Sequence, residues 1–124
     1  MIRFLLTFII LLTPATIGAS SSFPSLRVFN GYPSYVRVGN YDYTIHYVGE
    51  LYNDEGDRLL GMCNLKEKKI YIKIPDQEVE STLVHEFIHA MVYENGFDMD
   101  ERSVLKMETA LYRFLKDNYQ LKPQ

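Results

Sequence analysis

The chain holds a single cysteine, Cys63, so no disulfide can form within it, and a zinc site built on cysteine pairs is not to be expected. It has no tryptophan and only 3 histidines. A basic excess is also missing: 13 Lys and Arg stand against 16 Asp and Glu, for a net charge of −3. Nucleic-acid binding, which rests on positive patches, is therefore not expected. Lys66, Lys68, Lys69 and Lys73 do gather on one short stretch, and they read as a solvated strand face. No internal repeat or low-complexity tract occurs. What the chain does have is an apolar fraction of 47%, with 10 tyrosines and 7 phenylalanines, in a length of 124 residues that suits one domain.

The one long apolar run is at the N-terminus, from Phe4 to Leu12 and broken only by Thr7, after Arg3 and before Pro14 and a string of small residues. A basic start, a short apolar core and small residues describe a secretory signal peptide, and the run is short for a membrane span. Residues 1–21 are accordingly a signal peptide or an N-terminal apolar segment, residues 22–34 a linker, and residues 35–120 the working domain. An exported protein, periplasmic or secreted, follows if the signal is real. An uncleaved segment implies a membrane anchor, and a misassigned start implies a cytoplasmic chain.

Within the domain, alternation predicts strands at Val36–Val38, Tyr43–Val48 and Lys69–Ile74, with a shorter one over Leu59–Met62. Polar turns separate them at Asn53–Asp57 and Asn64–Glu67. Pro75 ends the last strand, and Asp76 can cap a helix over Gln77–Asn95 that Gly96 stops. Its apolar stripe is Val84, Phe87, Ile88, Met91 and Val92. Asp98 opens a second helix to about Asn118, with Val104, Met107, Leu111, Phe114 and Leu115 on its apolar face. The expected class is α+β: a small antiparallel β-sheet followed by two packed helices.

The first helix carries His85-Glu86-Phe87-Ile88-His89. Residues four apart share a helix face, so both imidazoles can reach one Zn²⁺, and Glu86 can reach a water on that ion. A catalytic zinc site needs a third protein ligand. No histidine follows His89, so the third ligand is a carboxylate on the second helix. Glu101 and Glu108 are two helical turns apart on nearly the same face, and phase does not choose between them. Asp98 and Asp100 are more remote options. Glu101 also stands three residues after Asp98, where a capping-box carboxylate would stand. Tyr93 and His46 are candidates to stabilise an oxyanion.

From about Tyr35 to Asn118 the chain resembles small, often phage-encoded zinc metallopeptidases related to the ImmA/IrrE and SprT-like groups. The matching pieces are Gly61–Asn64, Lys69–Ile72, Thr82–Ala90, Glu101, Val104, Leu111 and Leu115–Asn118. The resemblance implies a minimal zincin-like core, zinc held by His85 and His89, Glu86 as general base, and Glu101 as the third ligand in preference to Glu108. The expected activity is zinc-dependent hydrolysis of a peptide or protein substrate. The alternatives are a non-catalytic zinc-binding interaction domain, or a secreted structural protein whose motif is accidental.

Overall fold

A computed structural model describes Thr7–Leu11 and residues 31–119. The strands are β1 (Thr7–Leu11), β2 (Tyr35–Val38), β3 (Tyr41–Val48), β4 (Leu59–Asn64) and β5 (Lys69–Lys73), followed by helices α1 (Val79–Asn95) and α2 (Glu101–Tyr119). The α+β class is as expected. The sheet order is β1-β4-β5-β3-β2.

The sheet is mixed, not wholly antiparallel. β5 pairs antiparallel with β4 but parallel with β3. Alternation sets which face a residue takes but not the direction of its strand. Here β4 and β5 form a tight hairpin, and β5 fills the place between β4 and β3. Asn64 shapes the hairpin turn by accepting the Glu67 N–H at 2.9 Å. The Gly61–Asn64 stretch is thus strand, and the turn begins after it.

Period-two burial is clear on β5 and over Tyr43–His46 of β3, whereas Leu59, Leu60 and Gly61 of β4 are buried in succession. Tyr43, Ile45, Cys63, Ile70 and Ile72 are buried on one face of the sheet. Cys63 faces Ile70, and Ile70 faces Ile45, across the ladder. α1 covers this face, with Val79, Leu83 and Ala90 completing the core. α2 packs on α1, where Val84, Ile88 and Val104 meet. Met91, Met107 and Phe114, expected on the apolar stripes, are exposed instead. α2 has one packed face only, and Met107 and Phe114 fall beside it.

The helix ends differ from expectation in detail. Asp76 accepts the Glu78 N–H at 2.8 Å in a turn before α1, but α1 itself starts at Val79 without a side-chain cap. Gly96 closes α1 in the left-handed conformation, φ 72°, and the Phe97 N–H reaches the Val92 carbonyl at 3.0 Å. α2 is capped by Asp100, not Asp98: its Oδ1 accepts the Ser103 N–H at 2.9 Å.

Lys68 leaves the solvated lysine face. At φ 59° its side chain turns back onto the sheet and pairs with Glu94 of α1. Its Nζ stands 4.4 Å from the Tyr41 ring centre, 5.5 Å from Tyr43 and 5.1 Å from Tyr93. Tyr43 also donates its hydroxyl to Glu94, so this cluster ties the hairpin to the end of α1. Lys68→Ala should destabilise the fold by roughly 2 kcal/mol or more, because Glu94 is then left without its cation. Lys68→Gly should cost less, since glycine accepts the positive φ. Urea unfolding of both variants measures the difference.

The expected linker ends in packed structure. Tyr32 stacks on Tyr47, whose hydroxyl donates to the Pro33 carbonyl at 2.6 Å. Of the N-terminal segment only Thr7–Leu11 is described, and it pairs antiparallel with β4. The signal-peptide reading of residues 1–21 otherwise lies outside the described residues. Among the described residues no helix is long and apolar enough to cross a membrane.

Candidate metal centre

α1 lies between the sheet and α2, so its two faces do different work. His85 and His89 point toward α2, and both are buried. Their Nε2 atoms are 3.1 Å apart. Glu101, the first residue of α2, reaches back with one oxygen to each ring: Oε2 is 3.1 Å from His85 Nε2, and Oε1 is 3.0 Å from His89 Nε2. Asp100 takes the capping role, which leaves Glu101 free to face the histidines. A carboxylate is also favoured by the positive end of the helix dipole.

Glu108 does not join this triad. Its Oε1 lies 3.0 Å from His85 Nδ1, on the other side of the ring. It therefore holds the orientation of His85 and, in the neutral ring, fixes the proton on Nδ1 so that Nε2 is a lone-pair donor. The two glutamates that phase left equivalent are separated by which nitrogen of His85 each one meets. Asp98 is not part of the cluster.

These atoms fit a small divalent cation. Tetrahedral ligands at ~2.0–2.1 Å from Zn²⁺ stand about 3.3 Å from one another. The two Nε2 atoms are close to that spacing, each ring nitrogen has a different oxygen of Glu101 at 3.0–3.1 Å, and one ligand atom from each of the three residues can be chosen within 4.8 Å of the others. Two imidazoles and a carboxylate suit Zn²⁺ and other first-row divalent ions alike. The Glu101 side chain is about half exposed, at 47%, and supplies the open side of the cluster.

Glu86 packs against Gly61 of the sheet and is fully buried, close enough to His85, Glu101 and Glu108 for their charges to act on it. Among the described residues, neither of its carboxylate oxygens has a hydrogen-bond partner. Burial raises its pKa well above the usual carboxylate range; the nearby His85 works against the rise, and Glu101 and Glu108 add to it. Room for this side chain comes from Gly61 on β4. A Cβ there would lie 2.6 Å from Thr82 Cγ2 and 2.9 Å from Glu86 Oε2. The sequence hint is a glycine inside an apolar strand, which marks a close approach; its partner could not be named from the sequence. Gly61→Ala should lower stability by roughly 1–3 kcal/mol through overpacking. Thr82→Ser removes the nearest atom and should recover part of that loss in a thermal-melt comparison.

The titration of the cluster follows from the same contacts. Burial alone would lower the His85 pKa, but hydrogen bonds to Glu101 and Glu108 outweigh it and lift the pKa to about 9. His89 is lowered, chiefly by burial. Glu101 is resisted by partial burial, yet the two histidines hold it down to about 2. A metal ion must displace the His85 proton, so apparent affinity should rise with pH below about 9 and level off above it. Calorimetry at pH 7.5 in buffers of different ionisation enthalpy should find about one proton released per zinc bound.

Neither oxyanion candidate is at the centre. His46 lies on the outer face of the sheet, stacked on Tyr71 and bonded to the Thr44 hydroxyl, because residues 43 and 45 of β3 take the face toward α1. The Tyr93 ring packs against the Lys68 ammonium. Comparison of the chain with family models, with curated proteins and with solved structures found no match.

Proposed function

We propose that the chain is a zinc-dependent metallopeptidase that hydrolyses peptide bonds. The observation that carries this reading is Glu86: a fully buried carboxylate, without a partner for either oxygen among the described residues, one position from a histidine pair that converges on a third carboxylate. A purely structural metal site has no use for such a group. Burying an unpaired carboxylate costs stability, and catalysis is the return that accounts for it. The resemblance of Thr82–Ala90 and Glu101 to ImmA/IrrE and SprT-like peptidases supports the same reading.

His85, His89 and Glu101 hold the ion, and Glu108 keeps His85 in the tautomer that donates Nε2. A bound zinc ion supplies an acidified water and an electrophile for the scissile carbonyl. Glu86 takes the proton of the attacking water as the water oxygen bonds to the carbonyl carbon. It then gives that proton to the departing nitrogen as the C–N bond breaks. Its raised pKa in the metal-free chain suits a group that must hold a proton between those two steps, and the positive charge of a bound ion would draw the pKa down and leave the carboxylate ionised before them.

The test is a peptide library made from digested, unrelated proteins, incubated with the zinc-loaded chain and read for new termini by mass spectrometry. Cleavage that stops on chelation and returns with zinc is expected. A chain that holds zinc and leaves the whole library intact would overturn the assignment.

A further inference from the structure

Four regions outside the metal cluster hold chemistry. Pocket-lining residues on α2, among them Arg113 and Phe114, form an exposed groove with no sign of an occupant. The Lys68 cluster is satisfied by its own partners. Cys63 is buried and its thiol pushed up by that burial. The outer edge of β4 is different, because something sits on it.

β4 reads Leu59-Leu60-Gly61-Met62-Cys63-Asn64, a strand without charge. An uncharged edge of this kind pairs readily with any extended chain. Its occupant here is β1, in antiparallel register: Thr7 faces Asn64, Phe8 faces Cys63, Ile9 faces Met62 and Ile10 faces Gly61. Gly61 is the residue against which Glu86 packs. The register then slips between Ile10 and Leu11, where Leu11 faces Leu59. Thr7–Leu11 thus runs along the edge past Gly61, which packs against the proposed base. It arrives from a sequence-distant part of the chain, whereas β2–β3 and β4–β5 are joined by short turns. Strand addition to such an edge is a general mode of peptide recognition.

We propose that Thr7–Leu11 is an intramolecular strand that withholds the β4 edge from extended peptides, so that its displacement or removal opens a peptide-docking edge beside Glu86. Docking stands on the strand pairing itself; its consequence for catalysis rests on the hydrolytic reading above. A tethered strand competes at an effective concentration of order millimolar, so free peptides bind the intact chain weakly. Loss of the N-terminal segment, as in signal-peptide removal, would free the edge.

The experiment uses the full chain and an Ile9→Pro/Ile10→Pro variant. Adjacent residues point their N–H groups to opposite sides, so one of the two prolines removes a donor to β4. The probe is a fluorescein-labelled Lys-Thr-Phe-Ile-Ile-Leu-Lys peptide, followed by anisotropy. The variant should bind it at least tenfold more tightly than the unmodified chain. In the unmodified chain, saturating peptide should strip hydrogen-exchange protection from Thr7–Leu11 while β4 stays protected. Equal binding by both chains, with unchanged exchange in β1, would overturn the proposal. Tight peptide binding by a chain that cleaves nothing would support the docking edge and refute the peptidase. Unaltered binding by a chain that does cleave peptides would do the reverse.

Discussion

Glu86→Gln should abolish peptide hydrolysis and leave the metal in place. The amide keeps the shape of the carboxylate but cannot take a proton, and positioned general-base catalysis alone contributes roughly 10²–10⁴-fold. A fall of about 10³-fold or more in kcat/KM is expected, since the same group serves twice, on the water and on the leaving nitrogen. Stability should rise or stay level, because a fully buried group that favours the neutral form is replaced by one that is always neutral. Higher stability with lower activity is the signature of a catalytic group held at a cost. Thermal melts and zinc titrations on the same preparation separate this from misfolding. A Glu86→Gln chain that loses its zinc would contradict the placement of Glu86 outside the ligand set.

Glu101→Ala and Glu108→Ala should weaken zinc by different amounts. Glu101 faces the Nε2 atoms of both histidines, so its removal takes away a ligand. Glu108 meets only Nδ1 of His85, so its removal loosens one ligand's orientation. Loss of an outer carboxylate of that kind typically weakens binding by roughly 10–100-fold. Loss of Glu101 should exceed this by about a further tenfold at least, with His85→Ala at the far end. Competition against a chromophoric chelator at fixed pH measures the order. The pH must be fixed because His85 holds a proton up to about 9 in the metal-free chain, and both glutamates support it there. Glu108→Ala equal to or worse than Glu101→Ala would reverse the two roles.

Much of this was legible in the sequence because the informative patterns are local. Ile70 and Ile72 alternate with lysines, and they are fully buried as that alternation requires. His85 and His89 are four apart on a helix, and their rings meet. Gly96 stops α1 as its chemistry dictates. Strand direction was not legible: nothing in Tyr43–Val48 or Lys69–Ile74 states that the two strands run parallel. The choice between Glu101 and Glu108 was open for a similar reason. Both lie on the face toward α1, and only the axial offset of one helix against the other decides which ring nitrogen each reaches. Asp98 and Asp100 both have the chemistry of a cap, and the choice of Asp100 frees Glu101. Lys68 read as one of four solvated lysines, because the tyrosines around it come from β3 and α1.

Gly61 shows the same limit from another side. Its position in an apolar strand announces a close approach, but the partner is twenty-five positions on, in α1. The pairing of Gly61 with Glu86 joins the peptide-docking edge to the proposed base, and it depends on β4 lying directly over the first turns of α1. The sheet thereby serves two ends: it buries Glu86 on one side and offers a strand edge on the other.

His85, His89 and Glu101 make the candidate metal centre, and zinc K-edge absorption on the purified full chain reads its ligands. One zinc per chain is expected, in a shell of nitrogen and oxygen at ~2.0–2.1 Å, with the outer scattering of imidazole rings and no sulfur. That signal should vanish in His85→Ala. A wild-type chain that binds no zinc, or a shell that contains the sulfur of Cys63, would contradict this assignment.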